Sequence, residues 1–187
     1  MVLDTRAPEE HARSHWRGAL NIPLDGAFAT WCGTMLQPET GVVIVAHPGR
    51  EREAAVRLGR IGFDHVLGYV EGGMAALAER PELLVGRARL GPAELAGFGA
   101  ACRLDVRTAG ERAAGALPES LHIPLQQLPQ RLAELPAQGP VLVYCQSGYR
   151  SSIAASLLQA AGREEIADLD GGYQAWQAAG VASSTEL

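Results

Sequence analysis

No stretch of this sequence approaches the ~18 consecutive apolar residues that a membrane-spanning helix needs. The start, Met1-Val2-Leu3-Asp4-Thr5-Arg6, lacks the basic and apolar regions of a secretory signal. Lysine is absent altogether, a bias that carries no functional weight. The 16 basic residues are all arginine and stand against 21 acidic ones, for a formal charge of −5. A chain of that sign gives no electrostatic reason to expect nucleic acid as a partner, so neither nucleic acid nor a membrane is expected. Cysteine is scarce. Cys32, Cys102 and Cys145 are an odd number without metal-type spacing. No metal or organic cofactor is predicted, and reduced thiols in a cytoplasmic protein fit best.

What is present describes a folded globular chain, with 47% hydrophobic and 20% charged residues over 187 positions, enough for one large domain or two small ones. The chain repeats itself at a period of about 100 residues, domain-sized and not solenoid-sized. Leu3-Asp4-Thr5-Arg6 answers to Leu104-Asp105-Val106-Arg107, and Leu20-Asn21-Ile22-Pro23-Leu24 to Leu121-His122-Ile123-Pro124-Leu125. Val42-Val43-Ile44-Val45 answers to Val141-Leu142-Val143-Tyr144, and Glu71-Gly72-Gly73-Met74 to Asp170-Gly171-Gly172-Tyr173. The matches are ordered, and each half alternates short apolar strands with helical stretches, which predicts two α/β domains over 1–84 and 85–187, each with a parallel sheet flanked by helices.

In the second half the pattern predicts strands near Arg103–Val106, Ser120–Ile123, Val141–Tyr144 and Ile166–Leu169. Helices are predicted near Pro92–Gly99, Leu128–Glu134, Ser151–Ala161 and Gly172–Ala178. Nothing before Leu3 corresponds to Arg89–Ala101 before Leu104. The first repeat is therefore expected to be an N-terminally truncated copy, and the chain a piece of a longer protein.

The segment from Val141 to Ser152 is the most informative. An apolar strand ends on Cys145, a small-residue turn follows, and Ile153, Leu157, Leu158 and Ala161 then recur at helical spacing. Backbone N–H groups of such a turn, with the positive end of the following helix, converge on the sulfur and favour its thiolate. Gly148 permits the tight curl and Arg150 adds a fixed positive charge.

Both halves resemble rhodanese domains. The likeness rests on the Asp-x-Arg strand end, the Ile-Pro segment, the loop Cys145-Gln146-Ser147-Gly148-Tyr149-Arg150 and the late Gly-Gly pair, and it covers nearly the whole chain. The resemblance implies a tandem sulfurtransferase working through a cysteine persulfide. Cys145 would be the nucleophile, and Gln146, Ser147, Gly148, Tyr149, Arg150 and Ser151 would bind substrate. The expected partners are a sulfane-sulfur donor such as thiosulfate or a persulfide, and a thiol, sulfite or cyanide acceptor.

In the first repeat Ala46 stands where the nucleophile should be, so this half is expected to be catalytically silent. Its segment from Arg60 to Met74 is similar to rhodanese repeats fused behind a metallo-β-lactamase-fold domain, which implies such a domain upstream. A non-catalytic carrier of sulfane sulfur, or a docking module, is the competing reading. Cysteine phosphatases and arsenate reductases are a further alternative, but they use a loop one residue longer than the four residues between Cys145 and Arg150. Asp105, Arg107, Asp4, Arg6, Glu111 and Glu10 read as framework and His122 as a packed strand residue. Trp176 and Leu77 read as core, and Cys32 and Cys102 as ordinary thiols.

Overall fold

The two halves of the chain build two separate parallel sheets. The computed structural model describes residues 1–180 and divides into two compact units, Met1–Gly86 and the residues from Arg87 onward. No helix among the described residues is long and apolar enough to cross a membrane.

In the first unit the order is β1 (Val2–Asp4), α1 (Pro8–Arg13), β2 (His15–Trp16), β3 (Leu20–Asn21), α2 (Phe28–Met35), β4 (Val42–Val45), α3 (Glu51–Gly59) and β5 (Val66–Tyr69). Two 3₁₀ turns follow, then β6 (Leu84–Val85), which pairs antiparallel with β2. The main sheet is four-stranded and parallel, in the order β3-β1-β4-β5. Leu3, Ile22, Phe28, Ile44 and Leu58, from the sheet and the segments that cover it, are among the unit's fully buried side chains.

The second unit runs β7 (Ala88–Leu90), α4 (Leu95–Phe98), β8 (Cys102–Asp105), α5 (Ala109–Ala113), β9 (Ser120–His122), β10 (Val141–Tyr144), α6 (Tyr149–Ala160), β11 (Ile166–Leu169) and α7 (Gly172–Ala178). Its sheet is five-stranded and parallel throughout, in the order β7-β11-β10-β8-β9. Every residue of β10 and β11 is buried, as expected where a parallel sheet is covered on both faces. Helix α6 packs on β10 and β11. Leu142, Tyr144, Ala167, Leu169 and Tyr173 form a core cluster against which Leu90, Leu95, Phe98 and Trp176 are packed.

An extra strand distinguishes the second unit from the first. In the second, β7 covers the edge of β11; in the first, β5 is itself the edge, with Leu67 70% and Tyr69 56% exposed. All the large hydrophobic residues left exposed among the described residues, Met1, Val56, Ile61, Leu67 and Tyr69, belong to the first unit.

Two expected helices take another form. Leu128–Glu134 is not an α-helix but lies across two 3₁₀ turns, Leu125–Gln130 and Leu132–Glu134. Pro129 inside the first has no N–H to continue a ladder. Pro92–Gly99 is a 3₁₀ turn, Pro92–Glu94, leading into the single turn of α4, which Gly99 ends in the left-handed conformation.

Candidate active site

Cys145 follows directly on β10, at the carboxyl edge of the sheet, where parallel α/β sheets bind ligands. Its side chain lies at the base of the turn and the residue is 1% exposed. Gly148 adopts φ 96°, which a residue with a Cβ rarely tolerates. That conformation turns its N–H back on the sulfur, which it reaches at 3.1 Å. The thiol in turn donates to Ser151 Oγ at 3.6 Å. Ser151 belongs to the first turn of the 12-residue helix α6, so the sulfur faces the positive end of a long helix.

The loop is held from below by α7. The N–H of Tyr173 donates to the Cys145 carbonyl at 2.8 Å, and that of Gln174 to the Gln146 carbonyl at 3.1 Å. Gly172 makes this approach possible. A Cβ there would lie 2.6 Å from the Cys145 oxygen and 2.7 Å from the Ser147 nitrogen.

A buried ionic frame surrounds the loop. Asp105 and Arg107, at the end of β8, pair at 2.7 Å with side chains 0% and 1% exposed. Burial works against the charge on Asp105, but donors from Arg107 and Tyr144 outweigh it and hold the carboxyl below its ordinary value. Arg107 stacks over the Tyr173 ring at 4.1 Å and reaches Gln146 Oε1 at 3.3 Å, so strand end, loop and α7 share one guanidinium. His122 donates from Nε2 to the Arg107 carbonyl at 2.9 Å. From β7, Arg89 pairs with Asp168 and, at 2.8 Å, with Asp170. A Cβ on Gly148 would meet Arg89 Nη2 at 2.8 Å, which puts this guanidinium directly against the turn.

Of the loop residues expected to bind substrate, Gly148 and Ser151 meet at the sulfur and Gln146 turns to Arg107. Ser147 is exposed and Tyr149 half-buried. Arg150 is engaged by Glu111, Nη1 to Oε2 at 2.8 Å and Nη2 to Oε1 at 2.5 Å. Arg150 draws Glu111 down to a pKa of about 2, and its own pKa is raised by Glu111 and, further down the order of causes, by Cys145. Glu111 also accepts from the Thr108 N–H at 2.9 Å and from its hydroxyl at 2.8 Å. Sequence reading assigned Glu111 to the framework and missed this contact with the loop. The Thr-x-x-Glu capping pattern was a visible signal for the helix start, but nothing in it pointed to Arg150. Arg89, absent from the sequence-based site, had no local signal at all.

The corresponding loop of the first unit is built alike and wired differently. Ala46 is buried and Gly49 has φ 89°. The Gly49 N–H, however, donates to the carboxylate of Glu51 at 2.8 Å. An internal anion thus takes the donor that Gly148 gives to sulfur. Glu10, in the place of Glu111, accepts from the Ala7 N–H at 3.2 Å and pairs with His47 at 2.9 Å. All three cysteines are free and buried. Burial pushes Cys32 up to about 12 and raises Cys102.

The profile of the rhodanese-like domain matches residues 1–80 and 93–179. The chain belongs to the rhodanese-like domain family. It is 37% identical over 78 residues to a sulfurtransferase of Allochromatium vinosum, covering 42% of this chain and 73% of that one. It is 41% identical over 81 residues to an uncharacterized protein of Bacillus subtilis, covering 43% of this chain and 64% of the relative. Among solved structures it is similar to a rhodanese-related protein of Thermoplasma volcanium, with 30% identity and a TM-score of 0.47 over 50% of this chain and 93% of that one.

Proposed function

We propose that the protein is a sulfurtransferase whose second unit carries sulfane sulfur on Cys145 and whose first unit is catalytically silent. The observation that carries the reading is the sulfur of Cys145 at the base of a turn, receiving the Gly148 N–H at 3.1 Å at the N-terminus of α6. The family and the sulfurtransferase of Allochromatium vinosum support it.

In the first half-reaction the Cys145 thiolate attacks the outer sulfur of a donor. With thiosulfate a Cys–S–S⁻ bond forms, the donor S–S bond breaks, and sulfite leaves with the bonding pair. With a thiol persulfide the outer sulfur transfers and the thiolate leaves. In the second half-reaction an acceptor such as cyanide, sulfite or a thiol attacks the terminal sulfur and returns Cys145 as thiolate. The Gly148 N–H, already aimed at the sulfur, then serves the anion without reorganisation, and the Ser151 hydroxyl, which accepts from the thiol, turns to donate once that proton is gone. The short turn favours a single sulfur over a tetrahedral oxyanion. Free thiols support a reducing, cytoplasmic setting. The likeness of Arg60–Met74 extends the proposal to a metallo-β-lactamase-fold domain as partner.

The test is intact mass after incubation with thiosulfate or glutathione persulfide, for wild type and Cys145→Ser. One added sulfur on wild type alone, removed by cyanide or a thiol, is expected. No adduct with either donor sinks the reading. A docking role is favoured by one observation, the exposed Leu67 and Tyr69 on the β5 edge. In that case Cys145→Ser would leave cellular function unchanged.

A further inference from the structure

We infer that Glu111 sets the charge of the donor accepted at Cys145, and that the donor is a thiol persulfide with at most one negative charge on its reacting sulfur pair, not dianionic thiosulfate. The inference rests on the sulfurtransferase reading above and deepens it.

Three guanidiniums touch the loop, and each already has a carboxylate. Arg150, within the loop, has both terminal nitrogens on Glu111, at 2.8 and 2.5 Å. Arg107, which reaches Gln146, is held by both oxygens of Asp105, with Nη2 on Oδ2 at 2.7 Å and Nε on Oδ1 at 3.0 Å. Arg89, against Gly148, is shared between Asp168 and Asp170. A dianion entering this site gains little from cations whose fields are cancelled a few ångströms away. It also meets the carboxylate of Glu111. A monoanionic sulfur asks for less: the Gly148 N–H already points at Cys145 Sγ, and the Ser151 hydroxyl beside it can turn to donate once the thiol proton it accepts is gone.

Of the four carboxylates, Asp170 and Glu111 can be altered without opening the core, and of these two Glu111 is the one paired with an arginine of the loop itself. Its side chain is 28% exposed, whereas those of Asp105 and Asp168 are 0%. Its position is not accidental, because two hydrogen bonds from Thr108 fix the carboxylate at the start of α5. Glu111 is thus a positioning residue. It holds Arg150 beside the sulfur while removing the net charge with which a free Arg150 would attract oxyanions.

The experiment compares wild type, Glu111→Gln and Glu111→Asp as full chains. Site-resolved alkylation of Cys145 by neutral iodoacetamide and anionic iodoacetate gives a rate ratio that cancels changes in the thiolate's own reactivity. Glu111→Gln is expected to raise the iodoacetate-to-iodoacetamide ratio about tenfold, the scale of one partly screened charge close to the sulfur. Glu111→Asp, which keeps the charge, is expected to stay near wild type, and so separates charge from packing. In parallel, wild type should load sulfur from glutathione persulfide faster than from thiosulfate, and Glu111→Gln should move that preference about tenfold toward thiosulfate. Unchanged ratios in Glu111→Gln, with sulfur still loading on wild type, overturn the role of Glu111 and leave the sulfurtransferase reading intact. Failure of wild-type Cys145 to load from either donor overturns both.

Discussion

The hydroxyl of Tyr144 donates to Oδ2 of Asp105 at 2.9 Å, tying the residue before the nucleophile to the ion pair at the end of the neighbouring strand. The Tyr144 hydroxyl oxygen also lies 2.9 Å from Ser120 Oγ and accepts from the Leu117 N–H at 3.2 Å. The first unit has Val45 at this place, and its Asp4 pairs with Arg6 without such a link.

Tyr144→Phe removes that oxygen and leaves the Leu117 N–H and part of Asp105 buried without it. A loss of about 1–3 kcal/mol in the stability of the second unit is expected, the range for an unmet buried polar group. Denaturant unfolding followed at the tryptophan of that unit, Trp176, with Trp16 and Trp31 replaced, measures it. Sulfur loading of the folded fraction should persist, because the hydroxyl does not touch the sulfur. A variant as stable as wild type would show that the network contributes nothing.

Gly172→Ala drives a Cβ into the backbone of Cys145 and Ser147, while Gly162, with φ 91°, has open space around it. Both substitutions meet the cost of a positive φ, about 1–2 kcal/mol. Only Gly172→Ala should also displace the loop and slow Cys145 alkylation and sulfur loading by about tenfold or more, an order-of-magnitude expectation for a nucleophile moved from its donors. Equal losses in the two variants would count against the packing argument.

Ala46→Cys supplies the first unit with a thiol but not with a donor, since the Gly49 N–H is taken by Glu51 at 2.8 Å. No sulfur is expected on the introduced thiol after incubation with either donor. Mass mapping of the variant, with Cys145 changed to Ser, decides the point. Adding Glu51→Ala should allow loading by freeing that N–H and removing a like charge.

The Glu111–Arg150 pair sets a pH dependence. Glu111 titrates at about 2 in the folded chain against an ordinary 4.5, so the pair's contribution is complete above 4.5 and is lost as pH falls toward 2. Both side chains are partly exposed, and the contribution is about 1 kcal/mol at neutral pH after screening. The stability gap between wild type and Glu111→Gln should close across that acid range. A gap independent of pH would assign the difference to packing instead.

Much of the fold was legible because its signals are local. The strand Val141–Tyr144, the strand Ile166–Leu169 and the helix Gly172–Ala178 stand where hydrophobic period and Gly-Gly punctuation put them. Leu128–Glu134 misled because its apolar spacing is helical while Pro129 forbids the ladder. At the site, Cys145, Gly148 and Ser151 are neighbours in sequence, and a single turn brings them together. Glu111 and Arg89 were not legible, because they reach the loop from other strands and helices, and no local pattern encodes a contact across 39 residues.

The sequence by itself determined the duplication, the strand–turn–helix around Cys145 and the loss of the thiol at Ala46, since each follows from residue identity and short-range geometry. Tertiary structure alone decided which charges meet. Arg150 binds Glu111 instead of standing free, Arg89 backs Gly148, and Glu51 closes the silent loop. Charge pairing depends on distances of a few ångströms in three dimensions, and those distances are set only when the sheet brings its strand ends to one edge.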